Sequence, residues 1–122
     1  MQMEYFKDLP ISSQVLKSIE ELGFSNLFPI QAQAITPLLE GRDVIGQAQT
    51  GTGKTAAFGI PMIERVNSGI NNVQGLVLVP TRELAVQVAQ HIDQLAKYAR
   101  LRVLPVYGGE SIEKQMRALR SG

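Results

Sequence analysis

Eight residues constrain this chain more than any others: Ala48-Gln49-Thr50-Gly51-Thr52-Gly53-Lys54-Thr55. They follow a short apolar run centred on Val44 and Ile45 and open an apolar-periodic stretch from about Lys54 to Asn67. Four variable residues followed by Gly-Lys-Thr make the phosphate-loop pattern, here with Ala48 in place of its first glycine. Gly51 and Gly53 let the backbone bend so that consecutive N–H groups converge on an anion. A helix starting near Lys54 adds unpaired N–H donors and the positive end of its dipole. Lys54 supplies a mobile charge for the β- and γ-phosphates, and the Thr55 hydroxyl offers a hard oxygen to Mg²⁺. A plain Gly-rich turn with an exposed lysine is the bland alternative. The position between a strand pattern and a helix pattern argues against it, because anion binding needs that context.

The rest of the chain is punctuated to match. Ser12 or Ser13 caps a first helix with Val15, Leu16, Ile19 and Leu22 on one stripe, ended by Gly23. A second helix starts at Pro29, carries Ile30, Ala34, Ile35, Leu38 and Leu39, and ends at Gly41, with Pro37 expected to disturb or shorten it. Strands are expected at Asp43 to Ala48, at residues 75–79 and at Arg102 to Tyr107. The continuous apolar run Gly-Leu-Val-Leu-Val at 75–79 suits a strand buried on both faces. Thr81 caps a helix from about Glu83 to Ala99 with Leu84, Val88, Ile92, Leu95 and Ala99 on one face. Ser111 caps a last helix with Ile112, Met116 and Leu119 inward. From residue 41 onward the order is strand, helix, strand, helix, strand, helix. This predicts an α/β fold, a parallel sheet with helices on both faces, whose ligands meet the carboxyl ends of the strands. Those ends are Ala48–Thr55, Pro80–Arg82 and Tyr107–Gly109.

Length and composition set the outer limits. A chain of 122 residues with 44% apolar and 19% charged side chains is one ordinary domain. With no cysteine it has no disulfide scaffold, thiolate zinc site or Cys nucleophile. No apolar run approaches the roughly 20 residues needed to span a bilayer. The N-terminus lacks the basic and apolar regions of a signal peptide. The expectation is a cytoplasmic protein with no membrane partner. The net charge is only +1, yet residues 1–40 hold 2 basic and 5 acidic side chains, whereas 41–100 hold 6 and 4 and 101–122 hold 4 and 2. Taken alone, that asymmetry reads as solvated helix faces. The same holds for Lys114, Arg117 and Arg120, and His91, the one histidine, reads as an ordinary helix residue.

A phosphate loop does not choose a base. Gln31 can, because its amide both donates and accepts and so matches adenine N7 and N6 but not guanine O6. Phe24 can stack on the base. Alone, each is more often something else, Phe24 a core residue and Gln31 a surface polar one. Together with their neighbours they carry a resemblance. Gly23-Phe24, Pro29-Ile30-Gln31, Ala48–Thr55, Pro80-Thr81-Arg82-Glu83-Leu84-Ala85 and Gly108-Gly109 occur in an order that resembles the N-terminal lobe of DEAD-box ATP-dependent RNA helicases. The segment at about 4–32 is similar to that family's Q motif. Its isolated upstream aromatic matches Phe6, 17 residues before Gly23. The span from about 43 to 109 runs from the phosphate loop to the GG motif. The resemblance implies a partial RecA-like phosphate-loop NTPase lobe over residues 1–122 that binds ATP and Mg²⁺. Phe6, Phe24 and Gln31 would serve the base. Ala48, Gln49, Thr50, Gly51, Thr52, Gly53, Lys54 and Thr55 would serve the phosphates, with Lys54 and Thr55 closest to the chemistry and Thr55 on the metal. It implies that Pro80, Thr81, Arg82, Gly108 and Gly109 meet the RNA sugar-phosphate backbone. Thr81 and Arg82 at a helix N-terminus, and two glycines that admit a close backbone, suit sequence-independent contact.

The sequence also departs from the family. Leu27 and Phe28 stand where the family usually has Pro and Thr. Phe28 has no oxygen to cap the next helix, an expected loss of about 1 kcal/mol unless another group satisfies the N–H donors. No Asp-Glu-Ala-Asp or similar acidic tetrad occurs, nor the Ser-Ala-Thr motif, nor a second lobe with its arginine fingers. The expectation is therefore the nucleotide-binding front part of a helicase, itself barely hydrolytic. Its natural partners would be RNA and the missing second lobe, and its uncovered sheet edges and faces invite self-association. A phosphate-loop kinase or GTPase is the alternative enzyme, though a GTPase needs an Asn-Lys-x-Asp element that is not there. A binding module without catalysis is the other alternative.

Overall fold

The computed structural model describes residues 3–51 and 53–122. A 3-10 turn at Phe6–Asp8 precedes five helices, α1 Ser13–Glu21, α2 Pro29–Leu39, α3 Lys54–Arg65, α4 Arg82–Leu95 and α5 Ile112–Arg120. Their starts follow the capping residues. The Ser12 hydroxyl accepts from Val15 N–H at 3.3 Å, Thr81 from Leu84 N–H at 3.1 Å and Ser111 from Lys114 N–H at 3.3 Å. Gly23 and Gly41 follow α1 and α2 with φ of 84° and 83°, the left-handed geometry that closes a helix.

α3 is the central helix. It packs against α2 and α4, and α1 touches both α3 and α4. Val15 and Ile19 of α1, Ile35 of α2, Ile60 and Ile63 of α3, and Ile92 and Leu95 of α4 share one buried cluster. The apolar stripes read from the sequence thus meet in one core, and the Phe6 turn closes it from below. The N-terminal segment is tied on by Phe6 N–H to Ser25 O at 3.0 Å and Leu27 N–H to Glu4 O at 2.8 Å. Ser12 also bonds Glu64 of α3 through both its N–H and its hydroxyl, at 2.9 and 2.8 Å.

Three expectations are corrected. Pro37 does not break α2, which runs through it to Leu39. It lies in the last turn and forgoes only its own bond back to the Gln33 carbonyl, so most of the helix ladder precedes it intact. As expected, Phe28 gives α2 no side-chain cap; its carbonyl accepts Gln31 N–H as well as the ordinary first helical bond from Ala32 N–H, both at 3.0 Å, and the Gln31 amide oxygen accepts Phe28 N–H at 2.9 Å. The last helix does not turn its apolar stripe inward. Ile112, Met116 and Leu119 are exposed, because no other helix packs on α5.

The last concerns how deeply the strand at 75–79 is buried. The segments 43–48, 75–79 and 102–107 are the non-helical stretches of chain where the strands are expected. Two of them keep a strand's two-residue period in burial. Val77 and Val79 lean on the helices while Leu76 and Leu78 are 77% and 86% exposed; Leu101, Val103, Pro105 and Tyr107 are half-buried while Arg102, Leu104 and Val106 are exposed. The run at 75–79 is therefore covered on one face only. Val77 packs against the helical core cluster, and Leu76 and Leu78 point away from it. No helix among the described residues is long and apolar enough to cross a membrane.

Candidate nucleotide and RNA-backbone site

The turn before α3 takes the shape its glycines allow. Gly51 and Gly53 have φ of 78° and 75°, which side-chain-bearing residues rarely adopt. Gly53 is the residue from which α3 springs, and its carbonyl receives Ala57 N–H at 3.2 Å. Gln49, Thr50, Gly51 and Lys54 are exposed, and Ala48, Gly53 and Thr55 are half-buried. Thr52 lies outside the described residues. An exposed Lys54 thus stands at the N-terminus of a 12-residue helix, where unpaired N–H groups and the helix dipole favour negative charge.

Gln31 comes to this turn from the buried side of α2, only 3% exposed. Its amide nitrogen donates to Gly53 O at 3.1 Å while its oxygen accepts Phe28 N–H at 2.9 Å. The side chain is thus a strut between the start of α2 and the start of α3. A primary amide offers two hydrogens and two oxygen lone pairs, so one donor and one acceptor direction remain beyond these bonds. A Cβ at Gly53 would collide with the Gln31 amide nitrogen and lie 3.1 Å from the Phe28 ring. Phe24, Phe28, Gln31 and Gly53 border one small cavity of about 30 Å³, the size of a single water.

The aromatics divide differently from the sequence expectation. Phe24 is 44% exposed and Phe28 41% exposed, both beside Gln31. Phe6, expected to serve the base, is 3% exposed and packs in the core beneath the same cavity. Phe6 thus lines the cavity from the core side, whereas Phe24 and Phe28 line it from the exposed side. Phe28 is the residue that sequence reasoning missed as a site neighbour. It was visible only as a poor capping residue, and its approach to Gly53 depends on tertiary packing.

The second set of residues also converges. Thr81 caps α4 and Arg82 begins it, with the guanidinium exposed and 3.9 Å from Glu83. Gly109 has φ of 89°, and a Cβ placed there would lie 3.0 Å from Arg82 Nη1. Two segments with 25 residues of chain between Arg82 and Gly108 therefore share one polar rim. Pro80, Thr81, Arg82, Gly108 and Gly109 are all exposed there. Gln115 of α5 reaches the same rim through Tyr107, accepting its N–H at 2.9 Å and donating to its carbonyl at 3.2 Å. Among the described residues no three His, Asp or Glu side chains cluster as metal ligands. Among the described residues Thr55 brings a side-chain hydroxyl, a hard oxygen, to the first turn of α3.

The sequence model of the DEAD/DEAH box helicases matches residues 28–122. The chain is 50% identical over 118 residues to the DEAD-box ATP-dependent RNA helicase CshA of Bacillus cereus, covering 97% of this chain and 22% of that protein. Against CshA of Geobacillus kaustophilus it is 54% identical over 118 residues, covering 97% and 25%. The fold matches a DEAD box protein from the hyperthermophile Methanococcus jannaschii with a TM-score of 0.88 at 37% identity, over 100% of this chain and 34% of that one. It also matches the RNA-helicase Prp28 from Chaetomium thermophilum bound to ADP with a TM-score of 0.86 at 35% identity, over 99% and 31%. The chain spans about a quarter of these curated relatives and a third of these structures. Its α/β, RecA-like architecture is thus that of known DEAD-box lobes, and the chain belongs to the DEAD/DEAH box helicase family.

Proposed function

We propose that residues 1–122 form the front part of an ATP-binding helicase lobe, which binds ATP with Mg²⁺ and touches RNA through its backbone. The observation that carries this reading is the Gln31 strut. It joins the segment suited to read adenine to the carbonyl of Gly53, at the turn suited to hold phosphate. One pocket then serves both ends of a nucleotide. The remaining amide directions of Gln31 would meet the adenine edge, and Phe24 would supply the stacking face. The turn N–H groups and Lys54 would hold the β- and γ-phosphates, and the Thr55 hydroxyl would take one position on Mg²⁺. That ADP occupies the Prp28 structure supports an adenine nucleotide over a guanine one.

Pro80, Thr81, Arg82, Gly108 and Gly109 would meet sugar and phosphate, so binding would be largely independent of RNA sequence. Hydrolysis and duplex unwinding would belong to the whole helicase, which supplies the acidic residues and second lobe this sequence lacks. Residues 1–122 alone would hydrolyse ATP negligibly. The reading places the protein in the cytoplasm, where ATP and RNA meet. The exposed apolar face at Leu76 and Leu78 would let copies of the 122-residue chain associate.

Isothermal titration tests the pocket directly. ATP should bind more tightly than GTP. Lys54→Ala should weaken ATP by about 10- to 100-fold, the effect of losing bonds from a charged donor, with little change in thermal stability. GTP binding as tightly as ATP, or Lys54→Ala binding like the parent chain, would remove this assignment.

A further inference from the structure

We infer that Gln115 is a positioning residue for the RNA-backbone rim, fixing the turn that presents Gly108 and Gly109. The inference rests on the reading of those glycines as backbone contacts. Gln115 treats Tyr107 as a neighbouring strand would. Its amide oxygen accepts Tyr107 N–H at 2.9 Å and its amide nitrogen donates to Tyr107 O at 3.2 Å, so one side chain satisfies both polar groups of one residue. The same nitrogen lies 3.4 Å from Ser111 O, which ties the side chain back to the cap of its own helix.

This attachment stands out within α5. Gln115 is half-buried while every other residue of the helix is exposed, so α5 meets the 101–107 segment through this amide, and at its C-cap through Arg102 Nη1, which donates to Ser121 O at 3.3 Å, while its apolar stripe stays exposed. Directly after Tyr107 come two glycines, the residues that restrict a backbone least. Gly109 sits in the left-handed region with Arg82 Nη1 beside it. Without an anchor at Tyr107, the turn would populate many conformations, and the adjacency of Gly109 and Arg82 would be lost for most of them. With the anchor, the turn is already shaped before RNA arrives, which lowers the ordering cost of binding. Gln115 touches no phosphate in this scheme; it acts through Tyr107.

The test uses the 122-residue chain with a fluorescein-labelled single-stranded oligouridylate, followed by anisotropy. Gln115→Ala should bind this RNA about tenfold more weakly, the effect of losing two neutral hydrogen bonds. ATP affinity should not change, and neither should the slope of RNA affinity against salt, because no phosphate contact is removed. Gln115→Glu adds a signature that a passive tether would not give. At about pH 8 its carboxylate accepts Tyr107 N–H but has no hydrogen for Tyr107 O, and RNA binding should be weak. Near pH 4.5, around the ordinary glutamate value, the protonated acid regains a donor, and affinity should return toward that of the parent chain at the same pH. The charged residues nearby in sequence, Arg102, Glu110, Glu113, Lys114 and Arg117, are common to both proteins and cancel in that comparison. RNA binding unchanged in Gln115→Ala, or no pH recovery in Gln115→Glu, would overturn the positioning role. Arg82→Ala separates this from failure of the site itself. If it leaves RNA affinity and salt slope unchanged, the RNA-backbone reading fails and the role of Gln115 falls with it. If it flattens the slope by about 0.7 while Gln115→Ala binds normally, only the positioning role is overturned.

Discussion

Gly53 meets three demands at one position. It holds φ at 75°, it starts α3, and it leaves room for the Gln31 amide. Gly51 has nearly the same φ of 78° but nothing within 4 Å of the place where a Cβ would go. The pair allows strain to be separated from collision. Gly51→Ala should lose about 1–2 kcal/mol from the left-handed backbone alone. Gly53→Ala should lose more, about 2–4 kcal/mol, because the Gln31 strut must also give way. Urea titrations of the two variants measure both losses, and equal values would mean that the strut contributes nothing. Sequence reading found Gln31, Gly53 and Phe24 because each carries distinctive chemistry at a definite place along the chain. It did not find that Gln31 bonds Gly53, 22 residues on, or that Phe6 is buried and Phe28 exposed. Those facts depend on which side of α2 faces α3.

At the level of elements, the caps were legible because they are local. Ser12, Thr81 and Ser111 each lie three residues before the N–H they accept. Stripes were legible where a partner helix exists, as for Ile60, Ile92 and Leu95, and misleading where none does, as for α5. α4 also carries a titratable group on its packed side. His91 is half-buried beside Leu95 and Phe6, and burial pushes its imidazole below the ordinary 6.5 because the charged form loses hydration. The sign follows from which state takes the proton first. Between the folded value and 6.5 the unfolded chain is protonated and the folded chain is not, so stability falls as pH drops through that window. Below the folded value both states hold the proton and this contribution levels off. The melting temperature should therefore fall between about pH 7 and pH 5, and His91→Gln should flatten that dependence. An unchanged slope in the variant would place the effect elsewhere. Glu21 acts lower on the scale: hydrogen bonds from Tyr98 and then Lys97 hold its carboxyl below 4.5, so its stabilising contribution is present above 4.5 and lost as pH falls through the depressed value.

Over the whole molecule, one feature dominates: Val77, Leu101 and Val103 pack on the helical core while Leu76, Leu78, Leu104 and Val106 are exposed. Apolar area left in water favours association. The 122-residue chain should show a mass that rises with concentration in light scattering, and Leu76→Thr with Leu78→Thr should lower it toward the monomer. A monomer at every concentration in the parent chain would remove this expectation. Sequence alone determined the order of elements, the caps and the glycine turn before α3, because each rests on the chemistry of residues within a few positions of one another. It also identified the family, because five short motifs occur in a fixed order. Only the tertiary structure decided that the Gln31 amide braces the turn at Gly53, that Arg82 lies beside Gly109, and that the apolar run at 75–79 is buried on one face instead of two. Contacts between residues far apart in the chain are set by how helices pack, and burial is set by what lies on the other side.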